Sequence, residues 1–227
     1  MTALAFLEKS PDCILVLQGC KPEKEVFSYF PESIIIATDG AAIELLNLGV
    51  IPNTVIGDMD SINPELLKDT QCEIIKDMGQ ENNDFEKALI HILQKGFSEI
   101  LIMGIHGGDF EHSLNNVSVL WKYVERFSII TIVDSLQRIA IPVFFSFSWN
   151  TCVPGEIISL IPFPHAKLST QGFEWELEKE VLELSVREGA RNKAKNQDLH
   201  IDLLEGRFLF FCDSRFPRLP QFTHNPS

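Results

Sequence analysis

Four aspartates in the first half of this 227-residue chain have the type and spacing to do chemistry together. Three of them follow predicted strands, and the fourth opens the helix after a further strand. In an open α/β sheet, residues beyond the carboxyl ends of the strands face a common crevice. We therefore expect these side chains to converge on one rim of the sheet: Asp39, Asp58, Asp60 and Asp84.

A cluster of carboxylates needs a cation. Two carboxylates about 4 Å apart repel by about 4 kcal/mol at an effective dielectric near 20. Oxygen ligands without a neighbouring Cys/His cluster favour Mg²⁺, which is usually shared with substrate phosphates. The pattern thus predicts a Mg²⁺ site. Each aspartate taken alone is explained equally well as a helix cap or a turn former.

The glycine-rich segment from Gly104 to His112 follows another predicted strand. Glycine lets the backbone approach a ligand closely, which makes Gly107 and Gly108 candidate phosphate contacts. The segment matches neither the P-loop nor the G-x-G-x-x-G pattern, and a tight turn explains it as simply. His112 is a candidate either to polarise a phosphate or to cap a helix predicted to begin near Ser113.

The elements that must position these residues alternate over the first 135 or so residues, as a parallel sheet with crossover helices requires. An apolar stripe at helical spacing begins at Phe85 and ends near Leu93, and Gly96 closes that helix. A further helix is predicted over 41–48. The predicted strands are Cys13–Leu17, Ile34–Ala37, Thr54–Ile56, Glu73–Lys76, Ile100–Met103 and Ile129–Val133.

After Asp134, short apolar runs are interrupted by Pro and Gly, which indicates strands and turns. The tail from Phe216 onward is predicted to be frayed. The fold class is therefore α/β: a doubly wound, mostly parallel sheet over residues 1–138, then a smaller all-β sandwich over 139–227. The predicted strands of the second half are Val143–Phe147, Ile157–Ile161, Trp175–Leu177, Leu199–Leu203 and Arg207–Phe211.

Composition narrows the class of partner. A net charge of −13 disfavours nucleic acid and anionic membrane surfaces, and it means that a phosphate-rich substrate must be neutralised locally. The five cysteines are widely spaced without a C-x-x-C pair, as expected for reduced thiols. No stretch suggests a signal peptide or a membrane span. We expect a cytoplasmic protein.

The order of motifs resembles the thiamine pyrophosphokinase family over nearly the whole chain. The motifs are T-D-G-A-A at 38–42, G-D-M-D-S at 57–61, Q-E-N-N-D-F-E-K-A-L at 80–89 and G-I-H-G-G-D-F-E-H-S-L-N-N at 104–116, with G-E-I-I-S-L-I-P and G-F-E-W-E-L further on. The resemblance implies transfer of pyrophosphate from ATP to thiamine with release of AMP. It also implies an ATP- and Mg²⁺-binding α/β domain, a thiamine-binding β-sandwich, and a homodimer with its active sites at the interface.

The resemblance also implies roles for individual residues. Asp58, Asp60 and Asp84 would be catalytic and, with Asp39, would hold Mg²⁺. Thiamine would contact Gln80, Asp84 and Asn192. The implied nucleotide contacts are Asp39, Gly40, Gly57, Ser61, Gly107, Gly108, Glu111 and His112.

Several positions depart from the family pattern. Asp109 stands where the family has arginine, and Glu111 where it has aspartate. Of the family's S-x-S-N signature only Asn192 remains, after Arg191. Two alternatives to the enzyme therefore stay open: a diverged member that binds a nucleotide or a thiamine-like ligand without catalysis, and a kinase of another small alcohol.

Overall fold

The computed structural model describes residues 2–68, 70–79 and 81–224. The chain forms two compact units. One is Ser10–Gln137, and the other comprises the described residues of Met1–Lys9 and Arg138–Ser227. Among the described helices, none has both the length and the apolar character needed to cross a membrane.

The helices in chain order are α1 (Glu25–Ser28), α2 (Asp39–Asn47), α3 (Asp84–Gln94) and α4 (Phe110–Tyr123), with 3₁₀ turns at Pro64–Leu67 and Val124–Arg126. The strands are β1 (Thr2–Leu7), β2 (Cys13–Val16), β3 (Ile34–Thr38), β4 (Thr54–Gly57), β5 (Glu73–Lys76), β6 (Glu99–Met103), β7 (Ile129–Val133), β8 (Arg138–Val143), β9 (Phe147–Trp149), β10 (Ile157–Gln171), β11 (Glu180–Glu183), β12 (Gly189–Lys193), β13 (Leu199–Asp213) and β14 (Leu219–His224).

The α/β unit is built on six parallel strands in the order β7-β6-β2-β3-β4-β5. Strands β2, β4 and β7 are buried along their whole length, as expected for a parallel sheet covered by helices. The apolar stripe of α3 is buried at Phe85, Ala88, Leu89 and Ile92, and Asn83 caps that helix by accepting a hydrogen bond from the Glu86 N–H. The doubly wound sheet expected from the sequence is confirmed.

The described residues of the smaller unit form strands and turns without a helix, in agreement with the expected all-β fold. Its antiparallel ladders centre on β10 and β13, which are 15 residues each. The last residues of β13 pair with β8 and its first residues pair with β9. The core includes Phe147, Trp149 and Phe210, whose rings meet edge to face.

Two predicted strands of this unit were wrong. Strand β8 ends at Val143, so the predicted strand over 143–147 spans the break before β9. Trp175–Leu177 is not a strand, because side chains satisfy much of its backbone. The Leu177 N–H donates to Thr170 Oγ1 at 2.9 Å and the Trp175 carbonyl accepts from Asn192 Nδ2 at 2.7 Å.

Two further predictions for the β unit were also wrong: the end of a strand at Gly206 and a frayed C-terminal tail. The two strands expected on either side of Gly206 are one strand, β13, because register shifts opposite β10 absorb the interruption. The tail is not frayed over Leu219–His224, which pairs with β1. Proline is tolerated in β14 because that strand lies at the sheet edge. Residues 2–9, assigned from sequence to the α/β half, therefore belong to the β unit.

A buried ion pair ties the β unit together. The Glu156 carboxylate, only 2% exposed, accepts hydrogen bonds from both terminal nitrogens of Arg215 and from the Asp213 N–H. The Arg215 guanidinium also stacks on Phe6 and Trp149, 4.7 and 4.6 Å from the ring centroids. The pair thereby joins β1, β9 and the end of β13.

We predict that Glu156→Gln lowers the free energy of unfolding by about 3 kcal/mol, because it leaves the Arg215 cation without its buried counter-charge. Urea denaturation monitored by circular dichroism measures this. The matched control is Glu8→Gln, which removes an exposed ion pair with Arg218 and should cost less than about 1 kcal/mol. Equal losses in the two variants would contradict the role given to the buried pair.

Candidate active site

Three of the four predicted aspartates form one cluster. Asp39 begins α2 directly after β3, and Asp58 and Asp60 follow β4. One carboxylate oxygen from each lies within 4.8 Å of the other two. Adjacent parallel strands thus deliver the three carboxylates to one edge of the sheet, as the sequence predicted.

Asp39 is the buried member of this cluster, at 3% exposure. Its Oδ1 accepts a hydrogen bond from the Gly40 N–H at 2.7 Å, while Oδ2 is buried without a partner among the described residues. Gly57 makes this position possible, since a Cβ there would lie 2.7 Å from Asp39 Cγ. A buried carboxylate oxygen without a donor is costly, and a cation would relieve that cost.

The acidic turn after β4 is held by its own side chains. The Asp60 N–H donates to Asp58 Oδ1 at 3.1 Å, and Met59 adopts the left-handed conformation with φ of 66°. The Ser61 hydroxyl donates to Asp60 Oδ1 at 2.8 Å. Ser61, predicted to contact the nucleotide, therefore orients the Asp60 carboxylate in this structure.

Asp84 stands apart from this cluster and has a different environment. Burial raises the pKa of its carboxyl group, the charges of Asp39 and Asp58 raise it further, and Lys87 opposes the shift. Lys87 Nζ lies 3.3 Å from Asp84 Oδ1 and donates to the Asp77 carbonyl at 2.9 Å. The sequence reasoning missed Lys87, although its i, i+3 spacing from Asp84 on one helix was a usable signal.

A cavity of about 510 Å³ opens beside these groups. Asp58, Asp84 and Lys87 line it together with Gly107 and the other predicted members of the glycine-rich segment, Gly108 and His112. Gly107 has a φ of +105°, which a side chain would strain, and its N–H donates to Ser113 Oγ at 3.2 Å. The cavity therefore has acidic groups, one buried cation and an ordered backbone loop around it.

Helix α4 begins at Phe110, earlier than expected, so His112 lies in its first turn and does not cap it. The residue at the N-cap position is Asp109, whose side chain makes no capping hydrogen bond. Asp109, Glu111 and His112 are all exposed, with one ligand atom of each within 4.8 Å of the others. Asp109 also lines the cavity, which keeps its negative charge beside the space a phosphate would enter.

Amide side chains form a further group at the cavity that sequence reasoning did not single out. Gln18, Asn82 and Asn116 all line it. Amides both donate and accept hydrogen bonds, so they suit recognition of neutral polar groups. Asn116 closes the motif at 104–116, but that motif gave it no role, and only the three-dimensional arrangement brings the three amides to one cavity.

Of the three residues that the resemblance assigns to thiamine, Asp84 lines the cavity. Gln80 lies outside the described residues. Asn192 lies in the β unit, where its Oδ1 accepts from the Trp175 N–H at 3.2 Å and its Nδ2 donates to the Trp175 carbonyl at 2.7 Å. Its amide thereby fixes the turn around Trp175, and its contact with thiamine stays a prediction.

The thiamin pyrophosphokinase catalytic-domain family matches residues 29–133, most of the α/β unit. Thiamine pyrophosphokinase 1 of Oryza sativa subsp. japonica is 29% identical over 141 residues, which are 56% of this chain and 53% of the rice protein. Thiamine pyrophosphokinase of Bacillus subtilis (strain 168) is 28% identical over 148 residues, 63% of this chain and 69% of that protein. The matched region thus spans about half of the rice relative.

Solved structures share the fold over most of the chain. The crystal structure of thiamine pyrophosphokinase from Bacillus subtilis superposes with a TM-score of 0.75 at 23% identity, covering 90% of this chain and 100% of that one. Thiamin pyrophosphokinase from Candida albicans gives 0.74 at 13% identity, covering 94% and 99%. These structures establish the similarity of fold. With the matched catalytic-domain segment and the sequence relatives, the chain is thus similar to thiamine pyrophosphokinases, above all over the segment that carries the three clustered carboxylates.

Proposed function

We propose that this protein is a thiamine pyrophosphokinase, which transfers the terminal pyrophosphate of ATP to the hydroxyl group of thiamine and releases AMP. The observation that carries the proposal is the buried, unpartnered Asp39 Oδ2 within a cluster of three carboxylates beside the cavity. Similarity to the thiamin pyrophosphokinase catalytic-domain family over residues 29–133 and the roughly 510 Å³ available to a substrate add support. Such an acidic site suits a nucleoside triphosphate that binds together with a divalent cation.

In this proposal Mg²⁺ is held by Asp39, Asp58 and Asp60. The donor set suits it, since all three residues offer carboxylate oxygens and one of these lacks any other described partner. Bound there, the ion would neutralise phosphate charge and orient the triphosphate for in-line attack. The same charge would also offset the repulsion among the three carboxylates.

Asp84 and Lys87 have separate roles in the proposed reaction. The thiamine hydroxyl oxygen attacks the β-phosphorus of ATP, and the bond from that phosphorus to the oxygen shared with the α-phosphate breaks, so that AMP leaves. Asp84 accepts the hydroxyl proton, and Lys87 holds its carboxylate in place through the contact at 3.3 Å. The N–H groups and φ-positive glycines of the 104–108 loop approach the phosphates.

The proposal also includes thiamine binding by the β unit through Asn192, with Gln80 as a further contact from the α/β half of the sequence. It includes assembly into a homodimer whose active sites lie at the interface. Analytical ultracentrifugation tests the dimer across a range of protein concentrations. A monomer with full thiamine-dependent activity would contradict it. Cytoplasmic location is the remaining expectation from the sequence.

The decisive assay is release of AMP from ATP and Mg²⁺ with and without thiamine, together with detection of thiamine diphosphate. Thiamine-dependent AMP release supports the proposal. Nucleotide binding without AMP release favours the diverged binding protein. Release of ADP or AMP that depends on another small alcohol favours a kinase or pyrophosphokinase of that alcohol. Arg191, which replaces a serine of the family pattern, is the sequence feature that favours this outcome.

We predict that Asp58→Asn and Asp60→Asn each lower kcat at least about a hundredfold, because each removes a charge that the proposed cation needs. Without Mg²⁺ their thermal stability should equal or exceed that of the parent protein, since each change relieves repulsion within the cluster. Steady-state kinetics and calorimetric melting measure the two effects. Asp198→Asn, an exposed change in the β unit, is the control. Unchanged turnover, or a cooperative loss of stability, would mean that the turn is only structural.

We predict that Asp109→Arg lowers the KM for Mg-ATP. The Asp109 side chain lines the cavity and makes no capping hydrogen bond, so its charge repels an entering phosphate. Because the residue is exposed, screening limits the gain to about 1 kcal/mol, or about fivefold, and added salt should shrink it. Kinetics in low and high salt measure this. An unchanged KM at low salt would show that the Asp109 charge does not act on the nucleotide.

A further inference from the structure

Asn116 has an amide whose orientation is fixed by the backbone. It lies in α4, is half-buried and lines the cavity. Its Nδ2 donates to the Ile105 carbonyl oxygen at 3.0 Å. A carbonyl oxygen only accepts hydrogen bonds, so the NH₂ group of the amide must face Ile105. The other end of the amide, Oδ1, must then face elsewhere.

Oδ1 of Asn116 is an available acceptor. It accepts no hydrogen bond within the part of the chain that the structure describes, and it is not among that part's fully buried polar atoms without partners. Gln18 and Asn82 also line the cavity, but no hydrogen bond to a described residue orients their amides. Asn116 therefore offers the cavity a hydrogen-bond acceptor of defined direction.

We propose that Asn116 is a specificity-determining residue that reads the nucleoside part of the bound nucleotide. The inference rests on the proposed function. An amide oxygen repels phosphate oxygens, which are acceptors too, and attracts an O–H or N–H donor. In the nucleoside those donors are the ribose hydroxyls and the amino group of the base. Asn116 Oδ1 accepts a hydrogen bond from one of them.

Anchoring of the loop alone does not account for this residue. The 104–108 loop is also held by the Gly19 N–H on the Gly104 carbonyl at 3.0 Å and by the Cys20 N–H on the His106 carbonyl at 2.6 Å. Ser113 Oγ accepts from the Gly107 N–H as a third link. The bond from Asn116 to Ile105 is thus one of four, and its distinct consequence is the direction it gives to Oδ1.

The test measures dissociation constants by titration calorimetry with Mg²⁺ and four nucleotides: ATP, 2′-deoxy-ATP, 3′-deoxy-ATP and inosine triphosphate, which lacks the amino group. In the parent protein, the analogue that lacks the recognised donor should bind about two- to tenfold more weakly than ATP. In Asn116→Ala that analogue and ATP should bind equally. Which analogue responds identifies the ribose or the base as the source of the donor.

Three variants separate recognition from loop anchoring. Ser113→Ala removes a loop contact without touching the acceptor, so it should weaken all four nucleotides alike and keep their ratios. Asn115→Ala, an exposed neighbour of the same type, should change nothing. Asn116→Asp keeps an acceptor but removes the donor to the Ile105 carbonyl that fixes its direction, so it too should lose the parent protein's ratio. It also provides the comparison if Asn116→Ala does not fold.

The inference is overturned if Asn116→Ala weakens ATP and all three analogues by the same factor, or if the parent protein binds all four equally. Its failure is distinct from that of the proposed function. Thiamine-dependent AMP release with no change in these ratios would leave the proposed function intact and remove only the role of Asn116. Failure of the parent protein to bind ATP would remove both.

Discussion

A buried carboxylate oxygen with no hydrogen-bond donor is unfavourable in any protein interior, and Asp39 Oδ2 is such an atom. Its position follows from the sheet, because β3 leads directly into α2 and Gly57 at the end of β4 leaves room for the side chain. Two further carboxylates come within 4.8 Å from the turn after β4. A positive charge beside these three carboxylates would therefore lower the electrostatic energy of this edge of the sheet.

The protein supplies only part of that charge. Lys87 is buried and contacts Asp84, yet the pKa of the Asp84 carboxyl is still raised by burial and by its acidic neighbours. Because the chain has a net charge of −13, the proposed divalent cation would supply the remaining positive charge. Apo and loaded states should then differ mainly in electrostatic energy, since the carboxylates are already close together.

The α/β architecture and the acidic rim were predictable from the sequence. Short apolar runs identify the strands, and functional residues of an open α/β sheet lie beyond the carboxyl ends of its strands, which is where Asp39, Asp58 and Asp60 occur. It failed where pairing is not local. Strand β14 finds its partner β1 at the other end of the chain, and β13 continues past Gly206 because β10 absorbs the shift. For the same reason Gln18 was missed, and Asn116, although it ends the motif at 104–116, was given no role, since only the folded loops show that both amides reach the cavity.

The two loops at the rim are ordered by different means, and this bears on catalysis. The acidic turn is shaped by Asp58 accepting the Asp60 N–H and by Ser61 orienting Asp60, so its geometry uses the same carboxylates that would hold the cation. The 104–108 loop is instead fixed by neutral contacts from Cys20, Ser113 and Asn116, independently of any ion. Positioning contributes most to phosphoryl transfer when groups do not reorganise during the reaction. In the proposed reaction, a loop ordered without the metal would define the position of the nucleotide. Binding of the cation and nucleotide would then change mainly the electrostatic energy of the acidic turn, whose carboxylates are already close together.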